Sequence, residues 1–178
     1  MENLSNDRNA LQPNGGNVDL TICSCAVPED KHYIELNWDL VARLNPGRNW
    51  AWHVVSEDAG ARSPDMKERI VELGDERCVV LDGVNKPGDM ERNLSFQLAN
   101  ALHKGLESVQ SRFAMTLDPD FYIVRPGWID DVVAYMKSNR LSFFGAPWNP
   151  KFYRKYRYFP VQYCVAIDLN NIPAEEVD

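Results

Sequence analysis

The chain repeats one pattern from Val18 onward: a short apolar run, then an amphipathic stretch. Val18–Cys25 is apolar and β-branched, the mark of a buried strand. Asp30 is placed to cap a helix in which Tyr33, Leu36, Leu40 and Leu44 share a face, and Asn45-Pro46-Gly47 stops it. Asn49–Ser56 reads as a second strand. Ser63-Pro64 opens a helix with Met66, Ile70 and Leu73 as its apolar stripe and Gly74 as its end. Arg77–Leu81 is a third strand, and Val84–Met90 is a loop rich in Gly, Pro, Asn and Asp. A helix with Leu94, Leu98, Ala101 and Leu102 on one face precedes a fourth strand, Phe113–Leu117. Phe121–Val124 resumes an extended run. Ile129, Val132, Val133 and Met136 mark a further helix, Leu141–Gly145 a short strand, and Val161–Leu169 a last one. Strands separated by single helices imply right-handed βαβ units and a mainly parallel sheet. The last strand follows a loop without a helix, so an antiparallel placement is open to it. Ligands of such sheets bind at the carboxyl ends of the strands, which singles out loops 26–30, 57–62, 82–92 and 118–120.

Composition changes this picture little. The chain has 178 residues, 44% hydrophobic and 25% charged, which suits one globular domain. Residues 1–17 are polar and aperiodic and read as a disordered leader, leaving 18–178 as the domain. No run approaches 18 apolar residues, and the start has no apolar core of a signal peptide, so a cytoplasmic protein without a transmembrane segment is expected. A net charge of −7 argues against nucleic acid as a partner. Cys23, Cys25, Cys78 and Cys164 lack zinc-site spacing and read as reduced thiols.

The chemistry concentrates at Asp118-Pro119-Asp120, directly after the apolar run 114–117. Residues two apart in extended backbone point to the same side, and Pro119 biases Asp118 toward that backbone. Two carboxylates about 5 Å apart repel by roughly 3 kcal/mol at an effective dielectric of about 20. A divalent cation relieves that repulsion, and Mg²⁺ or Mn²⁺ typically takes one or two carboxylates plus substrate phosphates. The plain alternative is a turn, because Asp and Pro favour turns. The loop Lys151–Tyr158 adds four cations and no acid. Its Arg154 and Arg157 suit phosphate oxygens, and the alternative is a solvated cationic loop over packed aromatics. His53, His103 and Trp128 read foremost as packing residues, and Trp148 is open between packing and an acceptor contact.

The stretch 112–128, RFAMTLDPDFYIVRPGW, resembles the D-x-D region of GT-A-fold glycosyltransferases, and most of all their large family 2 group. Val18–Cys25 resembles that group's opening strand, WHVVSEDAG at 52–60 its second strand and acidic turn, and NLSFQLANALHKG at 93–105 the helix before the D-x-D strand. The resemblance covers about 18–169. It implies a three-layer, Rossmann-like α/β fold with a mainly parallel sheet. It also implies a nucleoside-diphosphate-sugar donor, a Mn²⁺ or Mg²⁺ cofactor, and transfer to an acceptor hydroxyl on a glycan, lipid or small molecule. By carry-over Asp58, or Glu57 beside it, contacts the base; Asp118 meets the ribose, and Asp118 and Asp120 hold the metal. In the inverting branch an acidic general base follows the last strand. Asp168, Glu175 and Glu176 are the acids near that position, and none is secure. The expectation is therefore a transferase-type domain with little turnover from residues 1–178 alone. A non-catalytic or truncated nucleotide-sugar-binding module is the alternative. A D-x-D phosphatase is a poorer reading, because Tyr122 stands where its Thr belongs.

Overall fold

The computed structural model describes residues 18–56, 76–83, 94–148 and 159–172. Glu57, Asp58, Arg154, Arg157, Glu175 and Glu176, and the helix expected from Ser63, lie outside the described residues. Strands β1 (Leu20–Ala26), β2 (Trp50–Ser56), β3 (Cys78–Asp82), β4 (Phe113–Leu117), β5 (Phe143–Gly145) and β6 (Cys164–Asp168) form one sheet in the order β3-β2-β1-β4-β6-β5. The pairings β3·β2, β2·β1 and β1·β4 are parallel. β6 runs antiparallel to β4, with Leu117 opposite Cys164 and Phe113 opposite Asp168. The carboxyl ends of β1 to β4 therefore share one edge with the start of β6, and the end of β6 lies at the other. The segment expected to extend over 121–124 does not join the sheet.

Helices α1 (Lys31–Leu44), α2 (Leu94–Glu107) and α3 (Trp128–Asn139) cover both faces. The alternation of the strands explains the layers. Leu20 and Ile22 of β1, with Phe113, Met115 and Leu117 of β4, face α1 and α3 and join Ile34, Trp38, Trp128 and Met136 in one core. Ala114, Val165 and Ile167 face the other way, with Leu106 packed against them, and Gly105 of α2 sits over Cys23. This is the three-layer α/β architecture expected from the sequence. At β5 the approach to β6 is so close that a Cβ on Gly145 would collide with the Cys164 carbonyl.

α1 buries a different face from the one its leucines mark. Ile34, Asn37, Trp38 and Val41 are buried, while Leu36 is 47% exposed. Both stripes have helical spacing, and the volume of Trp38 decides between them. Its ring lies 4.6 Å from that of Trp50 and 6.2 Å from that of Trp52, and such pairs add about 0.5–1.5 kcal/mol each beyond their burial. Asp30 does not cap α1. Its carboxylate accepts a hydrogen bond from the Val27 amide at 3.0 Å instead. The N-terminus of α3 is capped from a distance: the Ile129 amide donates to Asn45 Oδ1 at 3.1 Å, and Asp130 and Asp131 stand in its first turn, where the helix dipole favours acids.

None of the four cysteines is in a disulfide. Burial pushes the thiol of Cys23 up to about 12 and that of Cys164 to about 11, so neither forms a thiolate at neutral pH. No helix among the described residues is long and apolar enough to cross a membrane.

Candidate active site at the carboxyl ends of the strands

β4 is buried along its whole length, and the chain leaves the sheet at Leu117 directly into Asp118. Asp118 and Asp120 open on a cleft of about 280 Å³ whose other walls are Cys25 near the end of β1, Val27 just after it, Asp30, Leu98 of α2 and Pro119. The loops that meet here, 26–30 and 118–120, were both singled out by strand polarity alone.

The acidic turn is tied down at several backbone atoms. The Asp118 amide donates to the Tyr163 carbonyl at 2.9 Å, and the Phe121 amide to the Asp118 carbonyl at 3.0 Å. The Leu117 carbonyl accepts from Ser24 Oγ at 2.5 Å, and Trp52 Nε1 donates to the same hydroxyl oxygen at 2.9 Å. Asn37 Nδ2 donates to the carbonyls of Pro119 at 3.2 Å and Phe121 at 2.9 Å. Pro119 is buried, Asp118 half-buried and Asp120 exposed.

The electrostatics disfavour a bare carboxylate at Asp118. The Asp118 carboxyl is pushed up to about 6, first by burial and then by the negative charges of Asp120 and Asp30. No Lys, Arg or His among the described residues makes an ion pair with any of the three. Nor do three His, Cys, Asp or Glu side chains among the described residues converge as a complete metal cage. The carboxylates of Asp118 and Asp120 on an open cleft fit Mg²⁺ or Mn²⁺, which take one or two carboxylates and fill their shells with water and phosphate.

The other candidates fall elsewhere. Asp168 is not at the cleft. It pairs with Phe113 at the start of β4, four residues back from Leu117, which is about 13 Å along a strand. Its side chain is 2% exposed, and Arg112 grips both oxygens through Nε at 3.0 Å and Nη2 at 2.7 Å. A carboxylate so held cannot reach an acceptor at the other edge, which removes it as a candidate base. His53 lies half-buried in β2 with Nδ1 2.6 Å from Ser108 Oγ, and Trp128 is in the core, as packing residues. His103 stands exposed beside Glu107 at 3.3 Å. Trp148 follows the carboxyl end of β5, half-buried. Asp30 lies in loop 26–30 but reads from the sequence as a helix cap, and Cys25 and Asn37 lie outside the loops that strand polarity marks; an asparagine between Ile34 and Val41 was the one available signal for Asn37.

No protein-family model and no curated protein sequence matches the chain. Solved structures do. The mannosyltransferase PcManGT from Pyrobaculum calidifontis, in complex with GDP-Man and Mn²⁺, is 14% identical with a TM-score of 0.60, over 88% of this chain and 48% of its own. The galactosyltransferase LgtC, with donor and acceptor sugar analogues, is 15% identical with a TM-score of 0.56, over 85% of this chain and 58% of its own. Residues 1–349 of S. aureus TarS, in complex with UDP-GlcNAc, are 16% identical with a TM-score of 0.51, over 73% of this chain and 34% of their own. The chain thus spans between 34% and 58% of the length of these structures. The likeness identifies the fold: this six-stranded, mostly parallel sheet with its helices is the α/β architecture of GT-A-type glycosyltransferases.

Proposed function

We propose that the chain is the nucleotide-sugar-binding part of a metal-dependent glycosyltransferase. The observation that carries this is the placement of Asp118 and Asp120: directly past a fully buried strand, on the cleft at the carboxyl ends of the parallel strands, with no described cation beside them. Asp118 and Asp120 would hold Mn²⁺ or Mg²⁺. When bound, the cation supplies positive charge to the leaving nucleoside diphosphate. The chain's own residues bind and orient. Asp118 would also hold the donor's ribose, Asp58 or Glu57 would contact its base, and Arg154 and Arg157 would contact the phosphates. The acceptor hydroxyl of a glycan, lipid or small molecule would attack the anomeric carbon as the bond from that carbon to the diphosphate oxygen breaks, the nucleoside diphosphate leaving and the hydroxyl proton passing to water.

A second reading, a nucleotide-sugar-binding module without transfer activity, is favoured by one specific observation. Asp168 is turned away from the cleft and locked by Arg112. General-base help is typically worth about 10²–10⁴ in rate, so residues 1–178 are expected to bind donor and turn over little.

The test is calorimetry of UDP and GDP with Mn²⁺ and with chelator, followed by a sugar-nucleotide hydrolysis and transfer assay. Metal-dependent binding supports the site. Equal affinity in chelator removes the metal role, and no binding of either nucleotide in Mn²⁺ removes the reading. Robust transfer would reject the binding-module alternative and point to Glu175 and Glu176 as bases.

A further inference from the structure

Asn37 is the anomaly of α1. It is 1% exposed, on the stripe formed by Ile34, Trp38 and Val41, where every neighbour in the pattern is apolar. Burying an amide in such a stripe is unfavourable unless its hydrogen bonds are made. They are made to backbone 82 and 84 residues away: Nδ2 donates to the carbonyls of Pro119 and Phe121. These two carbonyls flank Asp120. One side chain thus ties the peptide group just before the more exposed of the two acids to the one just after Phe121, and no hydrogen bond from a described residue holds the Asp120 side chain itself.

The rest of the turn is braced differently. Ser24 and Tyr163 fix the Leu117 carbonyl and the Asp118 amide, on the sheet side of Asp118. Among the described residues, the short Phe121-to-Asp118 backbone bond and Asn37 act on the far side. A carboxylate at the end of an otherwise free turn would sample several directions. Each would lower its effective affinity for a shared ligand, because the ordering cost would fall on binding.

We propose that Asn37 is a positioning residue for metal-nucleotide binding: its amide holds the turn so that Asp120 points into the cleft together with Asp118. This rests on the proposed function of that cleft. Residues that orient ligating groups typically alter metal affinity by about 10–100-fold when removed.

The experiment pairs Asn37 with Asn45, a second buried asparagine at the end of the same helix. Asn45 likewise makes two side-chain hydrogen bonds, to the Val41 carbonyl and from the Ile129 amide, and it does not touch the turn. Asn37→Leu and the milder Asn37→Ser are compared with Asn45→Leu and Asn45→Ser. Three measurements are made: thermal stability, affinity for Mn²⁺ with UDP by calorimetry, and hydrogen exchange at the Phe121 amide without ligand. The expected result is a loss of stability in both pairs. Only the Asn37 variants lose about tenfold or more in Mn²⁺-UDP affinity and exchange Phe121 faster than their global unfolding accounts for. Asn37 variants that bind as wild type overturn the proposal, as do Asn45 variants that weaken binding equally. Wild-type protein that fails to bind Mn²⁺-UDP overturns the cleft's proposed function and this inference with it. That outcome is read from the wild-type arm alone.

Discussion

At the amino end of β4, Asp168 is buried and Arg112 holds both its oxygens; nearby Arg48 pairs with Asp130, with Nε 2.8 Å from a carboxylate oxygen. At the carboxyl end, Asp118 and Asp120 share a cleft with Asp30, and no described cation pairs with any of them. The carboxyl group of Asp168 is held below the ordinary range by the Arg112 hydrogen bonds, working against its own burial. That of Asp118 is pushed above it, to about 6. The same residue type is thus compensated by a described cation at one edge and by none at the other. An edge that completes its own ion pairs serves the fold. An edge that does not has stability to gain from a ligand, by mass action whenever the ligand prefers the folded state.

The strongest way to break this contrast is to remove the acids one at a time. Asp120→Asn or Asp118→Asn should weaken Mn²⁺-dependent UDP binding by about 2–4 kcal/mol, because each is a charged partner of the bound ion. Calorimetry at fixed Mn²⁺ measures it. Variants that bind as wild type would end the claim that the cleft is the cation-seeking edge.

At the other edge the same substitution should act on folding and not on binding. Asp168→Asn keeps the shape but loses two charge-assisted hydrogen bonds, and should cost about 1.5–3 kcal/mol of stability. For a chain this long that is a fall of several degrees in Tm, at roughly 2–4 °C per kcal/mol. UDP affinity should stay unchanged in the same calorimetry. A large loss of affinity would mean that the two edges are coupled.

The contrast also separates what the amino acids reveal in order from what they reveal only in space. β4 and its acidic turn were legible because a buried run ending in Asp-Pro-Asp has few other readings. The face of α1 was not: Tyr33, Leu36, Leu40 and Leu44 have the right period, but so do Ile34, Trp38 and Val41. The choice came from Trp50 and Trp52 on β2. Asn37 could not be assigned from its helix at all, since its partners lie 82 and 84 residues on. Asp168 shows the cost of reading proximity along the chain as proximity in space. It is the last residue of the strand that a base should follow, and that strand runs antiparallel, so its end lies at the far edge from the cleft.

The pH dependence of stability sharpens the amino edge further. The folded-state carboxyl of Asp168 titrates below its unfolded value of about 3.9. Its contribution is therefore fully present above that value, where the carboxylate is ionised in both states, and is lost as pH falls through the folded value. Urea midpoints of wild type and Asp168→Asn should differ by a constant amount from pH 7 to about 5. The gap should narrow toward pH 3. A gap already closed at pH 6 would mean that Arg112 does not hold the charge.

The smallest effect carries the opposite sign, and it tests the carboxyl edge without a nucleotide. Without a divalent ion, Asp120 adds negative charge beside Asp118, whose ionised form it disfavours. Asp120 is exposed, so solvent screens the repulsion, and relief of it is on the scale of a surface ion pair, about 0.5–1 kcal/mol. Asp120→Asn should therefore raise Tm in chelator by about 1–3 °C. Saturating Mn²⁺ should reverse the order, because wild type then gains binding free energy that the variant has lost. A variant less stable than wild type in chelator would show that Asp120, like Asp168, already has its compensation within the fold.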